Sequence, residues 1–253
     1  MTKPTTRIGT PTSETTKFRM RGKDVLNEIV GHKSFSEAFY FIVSGREPSA
    51  GEVRILDACM IILMDHGITP NALVARLVED STPGDVQVPV AAGLLMVGNK
   101  FVGTMAGIGT ILSDCMSQDG DKRQWLADTV ASYRAQKRFI PGFGHPYYNP
   151  EDPRAARLFE IARINGAVGD YIELVQMLGE EIDKAARRHL TLNVTGALGA
   201  VLNEIEFPVQ VMRSVAVIGR AAGLVAHIHE EQKTPVVPAV VEFINGIEYV
   251  DPE

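Results

Sequence analysis

The segment Pro141-Gly142-Phe143-Gly144-His145-Pro146 carries an imidazole at the end of a glycine turn, and Asp152-Pro153-Arg154 follows seven residues on. Glycine lets a backbone approach its neighbours and proline fixes its direction, so His145 is held on a stiff loop. A histidine held that way can donate a hydrogen bond or move a proton; a tight turn carrying a surface histidine has the same composition. Asp152 as N-cap and Pro153 at the first helical position open a helix whose face is Ala155, Leu158, Phe159 and Ala162. Arg154 therefore falls in a first turn, where the helix dipole disfavours a cation, and its placement calls for a reason such as an anionic ligand close by. A second group, Asp65-His66-Gly67, closes another helical run. There His66 can cap carbonyls, and Asp65 either orients the imidazole or, as favoured, holds the turn.

Other candidates carry less. His227 and His229 stand two residues apart on a helix, so they cannot share a face as metal ligands and read as packing or surface residues. His32 and His189 have no partner by spacing. Gly107-Ile108-Gly109 lacks a preceding β-branched strand and a third glycine in register, which rejects a dinucleotide fingerprint. Cys59 and Cys115 lie in apolar runs, neither in a Cys-x-x-Cys pair nor near a histidine cluster, so neither a disulfide framework nor a zinc site has support.

The elements that must position these residues are helical. Ser34 and Glu37 form a capping box ahead of Phe35, Ala38, Phe39, Ile42 and Val43, and Gly45 ends that helix. Ser49 and Glu52 repeat the device before Val53, Leu56, Cys59, Met60 and Leu63, and Thr69 with Pro70 starts a third helix. Residues 88–97 are small and apolar, as in a helix buried on every side, in a core or under a neighbouring subunit. Residues 192–205 and 209–228 are again apolar, and Gly196, Gly199, Gly219 and Gly223 mark close helix packing. The class is all-α. A more polar stretch, 114–188, reads as a small helical domain, with 17–113 and 189–253 as the large one and 1–16 as a flexible tail.

The chain has 253 residues, 45% hydrophobic and 22% charged, with 25 Lys plus Arg against 31 Asp plus Glu, a net charge of -6. That composition supports a sizeable core and gives no basic field for nucleic acid or an anionic membrane. Without an apolar leader or a span of 18 residues free of polar groups, a cytoplasmic protein is expected.

The Pro141–Pro146 and Asp152–Arg154 segments together resemble the active-site signature of the citrate synthase superfamily. Three further blocks are similar to that family in the same order. These are Met64-Asp65-His66-Gly67 with Thr69-Pro70, then Gly93-Leu94-Leu95 with Gly98 and Phe101 to Gly103, and Gly219-Arg220-Ala221-Ala222-Gly223 with Ala226-His227. The likeness spans about residues 20–235, and by length it is greatest to the compact members, the citryl-CoA lyases.

The resemblance implies a citrate synthase-like fold, a large and a small helical domain with the active site between them, and a homodimer or higher homo-oligomer. It implies chemistry on a coenzyme A thioester and a keto acid, and a mechanism that needs no metal. Arg154 and Arg220 occupy the family's carboxylate-binding positions, with Asn193 and Phe101 also at the substrate. His145 matches the histidine that serves the carbonyl or hydroxyl oxygen, and His66 is a further catalytic candidate. Pro141, Gly142, Phe143 and Gly144 would lie near the CoA adenine. Lys184, Arg187 and Arg188 form a cationic helix face, solvated or in contact with CoA phosphates.

Three departures matter. The compact members read Asn-Val-Asp-Gly where this chain has Asn193-Val194-Thr195-Gly196, and that aspartate is the acid/base at the acetyl α-carbon. The Thr195 hydroxyl cannot accept a proton near neutral pH as a carboxylate does, unless a distant group such as Asp114 or Glu204 fills the vacancy. The histidine that full citrate synthases use on the thioester enolate falls near Phe101, and the partner-supplied arginine has no match around Lys233. The expected function is carbon–carbon bond cleavage or formation between an acyl-CoA and a keto acid, with citryl-CoA lyase first. The alternatives are a citrate or 2-methylcitrate synthase-type acyltransferase and a non-catalytic CoA- or keto-acid-binding paralogue.

Overall fold

In the computed structural model, which describes residues 3–98 and 103–252, a short antiparallel pair, β1 (Arg19–Met20) and β2 (Lys23–Asp24), precedes eleven α-helices. Arg21 and Gly22, both at positive φ, make its two-residue turn, as the right-handed twist of paired strands requires. Residues 8–10 are tied to it, since the Arg21 N–H donates to the Ile8 carbonyl and the Thr10 N–H to that of Arg19. The helices are α1 (Phe35–Ser44), α2 (Ala50–Met64), α3 (Pro70–Ser81), α4 (Gln87–Leu95), α5 (Thr104–Met116) and α6 (Lys122–Ala135). After them come α7 (Pro153–Ile164), α8 (Asp170–Ala186), α9 (Val194–Glu204), α10 (Arg213–Glu231) and α11 (Val237–Asn245).

Caps read from the sequence form at α1, α2 and α7. Ser34 and Glu37 exchange both bonds of the capping box, Ser49 and Glu52 do likewise, and Gly45 closes α1 at φ 78°. Thr69 precedes α3 without capping it: its hydroxyl donates to the Asn71 side chain and accepts from no N–H of the first turn. Gly107 and Gly109 lie inside α5 and let it pack closely on Pro141 and Met212.

The chain divides into two compact units, Met1–Cys59 with Met105–Met212, and Met60–Thr104 with Arg213–Glu253. In the first, α9 is buried on every side from Val194 to Asn203. Helices α7 and α8 both pack on it, so residues of the polar stretch 114–188 share this unit with α9. Gly199 makes the approach to α5 possible, as a Cβ there would lie 2.2 Å from Ile108 and 2.9 Å from the Met105 carbonyl. Glu204 at the other end of α9 accepts from the Gly169, Tyr171 and Ile172 N–H groups and so caps α8.

The second unit is built on α3, α4 and α10. Ala72 and Ala75 of α3 meet Leu224 and Ile228 of α10, with Val90 and Leu94 of α4 against them. Residues 209–231 are long and apolar enough to cross a membrane by length and composition, and α10 spends that apolar face packing on α3 and α4. Residues 88–97, expected to be buried on every side in a core or under a neighbouring subunit, are not so buried within the chain itself. α4 buries Pro89 and Gly93 but leaves Val88 and Leu95 exposed, because only one face of so short a helix meets α3 and α10.

Arg76 of α3, 1% exposed, is the largest buried polar side chain of this unit. Its Nη1 donates to Glu231 at 2.8 Å, Nη2 reaches Glu230, and Glu231 in turn accepts from the Val236 and Val237 N–H groups at the start of α11. Replacing Arg76 with methionine keeps the volume but strands a buried carboxylate. We expect a loss of about 3 kcal/mol in urea unfolding, and a smaller loss when Glu231→Gln is introduced as well.

Candidate functional site

The loop that carries His145 is clamped to the strand leading into α9. The Gly144 N–H donates to the Thr191 carbonyl at 2.7 Å, the Asn193 N–H donates to the Gly142 carbonyl at 3.0 Å, and Phe143 faces Leu192 across an isolated antiparallel bridge. In such a pair the Phe143 peptide groups point away from the bridge. Gly142, at φ 85°, lies directly on Gly196, and a Cβ there would sit 2.6 Å from the Gly196 Cα. Only glycine satisfies both the conformation and the contact.

Downstream, His189 lies between Asp183 and the Pro150 carbonyl, at 2.6 and 2.9 Å. The Thr191 hydroxyl is within hydrogen-bond distance of the Tyr148 and Pro150 carbonyls. Hydrogen bonding to Asp183, then to Pro150, raises the His189 pKa above its ordinary value. His189 therefore has partners that its sequence spacing did not show.

His145 is oriented by its own turn. Its Nδ1 accepts from the Tyr147 and Tyr148 N–H groups at 3.1 and 3.0 Å, which in the neutral ring places the proton on Nε2. That Nε2 lies 3.3 Å from Arg154 Nη2. Both are then donors, so the pair is complementary to an oxygen acceptor such as a carbonyl or carboxylate. Tyr148 packs against both groups, its ring 4.6 Å from the imidazole and 4.9 Å from the guanidinium carbon.

The anion that Arg154 calls for is Asp152. The Asp152 carboxylate, fully buried, accepts from Arg154 Nε at 2.9 Å and Nη2 at 2.8 Å, and from the N–H groups of Arg154 and Val194. A cation in the first turn of α7 is thus explained within the chain, and it leaves the outer edge of the guanidinium for a ligand. Burial alone would push the Asp152 carboxyl up, but hydrogen bonding and charge from Arg154 and the two N–H groups hold it below the usual carboxylate range. A pKa depressed on folding stabilises above the unfolded value of about 4, and that contribution is lost as pH falls through the lowered value. Melting temperatures between pH 2 and 7 should therefore show a steep acid limb in the natural chain and a flatter one in Asp152→Asn.

Asn193 joins this loop to α9. Its Nδ2 donates to the Gly144 carbonyl at 2.9 Å, while its Oδ1 accepts from the Thr195 and Gly196 N–H groups and, at 2.6 Å, from the Thr195 hydroxyl. Thr195 is buried at the second position of α9. Neither proposed carboxylate substitute is supported as its replacement. Glu204 is committed to the α8 cap at the opposite end of α9, and Asp114 is exposed near the end of α5; Asp152, which does touch this helix start, is filled by its four donors.

The second unit carries the other candidates. Asp65 Oδ2 accepts from the Gly67 N–H at 2.9 Å, a local turn with exposed His66 at its apex. Asp65 Oδ1 pairs with His227 Nε2 at 2.8 Å, and His227 Nδ1 lies 3.2 Å from Arg76 Nε and 2.9 Å from Nη2. Arginine only donates, so His227 carries its proton on Nε2 and gives it to Asp65. His227, read as a packing or surface residue, is thus a link in a polar chain whose partners lie about 150 residues away, beyond any local signal. Arg220, on α10, is half-buried and has no ion pair among the described residues, and its Nη1 is buried without a hydrogen-bond partner there. Burial pushes the Arg220 pKa below its usual range, and the field of Asp65 opposes that.

The structure brings His145, Arg154, Asn193 and Thr195 together, with Pro141 to Gly144 beside them. His66 and Arg220 belong to the second unit, and Phe101 lies outside the described residues. Of the cationic face, Lys184 pairs with Glu181 and Arg187 ends α8 in a left-handed conformation.

The family model for the citrate synthase C-terminal domain matches residues 6–237. Citrate synthase of Haloferax volcanii is 26% identical over 225 residues, 85% of this chain and 55% of that protein. Citrate synthase of Saccharolobus solfataricus is 28% identical over 202 residues, 78% and 52% respectively. The chain spans about half the length of these curated relatives. Among solved structures, citryl-CoA lyase from Hydrogenobacter thermophilus matches with a TM-score of 0.86 and 32% identity over 98% of this chain and 95% of that one. A variant of ATP citrate lyase from Methanosaeta concilii in complex with (3S)-citryl-CoA shares the fold, with a TM-score of 0.75 and 21% identity over 100% of this chain and 43% of that one. With the glycine-loop histidine, its arginine partner and the cap of α9 all inside the matched region, the chain belongs to the citrate synthase family, as a compact, all-helical member.

Proposed function

We propose that the chain works on the carbon–carbon bond between an acyl-CoA and a keto acid, and that its reaction is cleavage of citryl-CoA to acetyl-CoA and oxaloacetate. The observation that supports this reading is the match to citryl-CoA lyase, 32% identical over nearly the whole of both chains. The local chemistry supports it. His145 Nε2–H and Arg154 Nη2 offer two donors to one oxygen, suited to the citryl hydroxyl or the carbonyl it becomes. Arg220, half-buried and without an ion pair among the described residues, is suited to a carboxylate of the keto acid, and His66 stands at the apex of its turn as a second imidazole. The outward peptide groups of Phe143 would meet the adenine of coenzyme A. A homodimer or larger homo-oligomer is supported by apolar side chains left exposed on α4 and α11, Leu95, Phe243 and Ile244 among them.

A second reading follows from Thr195: a subunit that binds CoA or the keto acid without turnover. A coupled assay for acetyl-CoA released from citryl-CoA separates the two. Release that saturates with citryl-CoA supports the lyase. No release, with a melting temperature raised by oxaloacetate or coenzyme A, supports the binding subunit. Condensation of acetyl-CoA or propionyl-CoA with oxaloacetate, faster than cleavage, would favour an acyltransferase instead.

A further inference from the structure

Asp65 stands where it has two competing partners. Gly219 and Gly223 bring α10 onto the end of α2, with the site of a Gly223 Cβ only 1.9 Å from the Met64 carbonyl and 3.7 Å from the Asp65 nitrogen. Arg220 and His227 lie seven residues apart on α10, two turns along one face, with Gly223 between them. A carboxylate beside Gly223 is therefore flanked by a guanidinium on one side and an imidazole on the other. It is bound to the imidazole. Oδ1 takes the His227 Nε2–H, Oδ2 takes the Gly67 N–H, and neither oxygen lies within ion-pair distance of Arg220. Arg220 consequently keeps a buried Nη1 without a partner among the described residues.

We propose that His227 is a positioning residue: by holding Asp65, it keeps this carboxylate from neutralising Arg220 and so leaves the guanidinium available to an anionic substrate. Arg76 makes the arrangement directional. Its Nε and Nη2 occupy the Nδ1 side of the ring, so the ring can offer Asp65 only the Nε2 proton. Arg76 is itself anchored by Glu230 and Glu231, and these two, with Arg76 and Asp65, are the charged groups bonded to or paired with this histidine and its arginine. Without the His227 donor, Asp65 would turn to the nearest unpaired cation and the substrate carboxylate would have to displace it.

The inference rests on Arg220 being a ligand-binding cation, and its test has one arm that does not. Phenylglyoxal labelling of Arg220, followed by peptide mass spectrometry, reads whether the guanidinium is paired. Labelling in His227→Ala should be about fivefold slower than in the natural chain, the factor that one modest ion pair gives. His227→Gln, which keeps an N–H for Asp65, and the double variant His227→Ala/Asp65→Asn should return towards the natural rate. Oxaloacetate binding by calorimetry should follow the same order, weakest in His227→Ala and recovered in the double variant. A purely structural role for His227 would make the second substitution add to the damage. Unreactive Arg220 in the natural chain, unchanged labelling in His227→Ala, or no recovery in the double variant overturns the proposal. Failure of the natural chain to bind oxaloacetate, with the labelling order intact, overturns the keto-acid reading and leaves the role of His227 standing.

Discussion

Thr195→Asp should raise acetyl-CoA release from citryl-CoA by a factor of about 10² to 10⁴, the usual worth of a positioned general acid/base. In the proposed reaction the acetyl-CoA enolate formed on cleavage would have to be protonated at carbon, and the Thr195 hydroxyl is a poor proton carrier near neutral pH. The fold is ready for the change. Position 195 is in the first turn of α9, where the helix dipole favours a negative charge, and threonine and aspartate are close in size. The new carboxylate would give up the hydroxyl's bond to Asn193 Oδ1 and, to avoid that oxygen, turn away from it, while Asn193 keeps its grip on the Thr195 and Gly196 N–H groups. The measurement is a coupled assay of both proteins at equal concentration. A variant no faster than the natural chain, yet equally folded by circular dichroism, would mean that the α-carbon proton is handled elsewhere.

His145→Ala is expected to lower turnover of whichever form is active by about 10² to 10⁴. The imidazole pins the Tyr147 and Tyr148 N–H groups of its own turn and lies against Tyr148 and Arg154, so the melting temperature should fall only modestly. The fall should appear in kcat more than in KM, because a donor aimed at an oxygen acts most strongly when charge develops there. His145→Asn would keep an acceptor for the turn while losing the Nε2 proton, and it should be nearly as slow as alanine. Unchanged turnover in either variant would remove the proposed chemistry.

How much of this was legible in the sequence depended on the range of each interaction. Capping boxes at Ser34 and Ser49, the Asp152-Pro153 start of α7 and the glycine end of α1 are written within four residues, and all form. The His145 loop and its nearness to Arg154 were legible from the order of motifs. The partner of Arg154 was also local, two residues away, but reading the helix dipole alone pointed outward to a ligand and passed over Asp152. Nothing local announces that His227 meets Asp65 and Arg76, because those residues come together only when α10 packs on α3 and on the end of α2. Thr69 shows the converse limit: the residue type and the proline after it were right for a cap, yet its hydroxyl donates to a side chain two residues on and accepts no N–H of the helix.

The contact of Gly142 with Gly196 has a consequence for anyone who would re-engineer this chain. Main-chain atoms meet main-chain atoms there, so the standoff of the histidine loop from α9 is fixed by atomic radii and cannot be tuned by choosing a different rotamer. Thermostabilising campaigns that swap helix glycines for alanine would wedge the two apart at Gly196 and shift the imidazole in the process. Changes at Tyr147, whose side chain is exposed, would leave that main-chain contact in place.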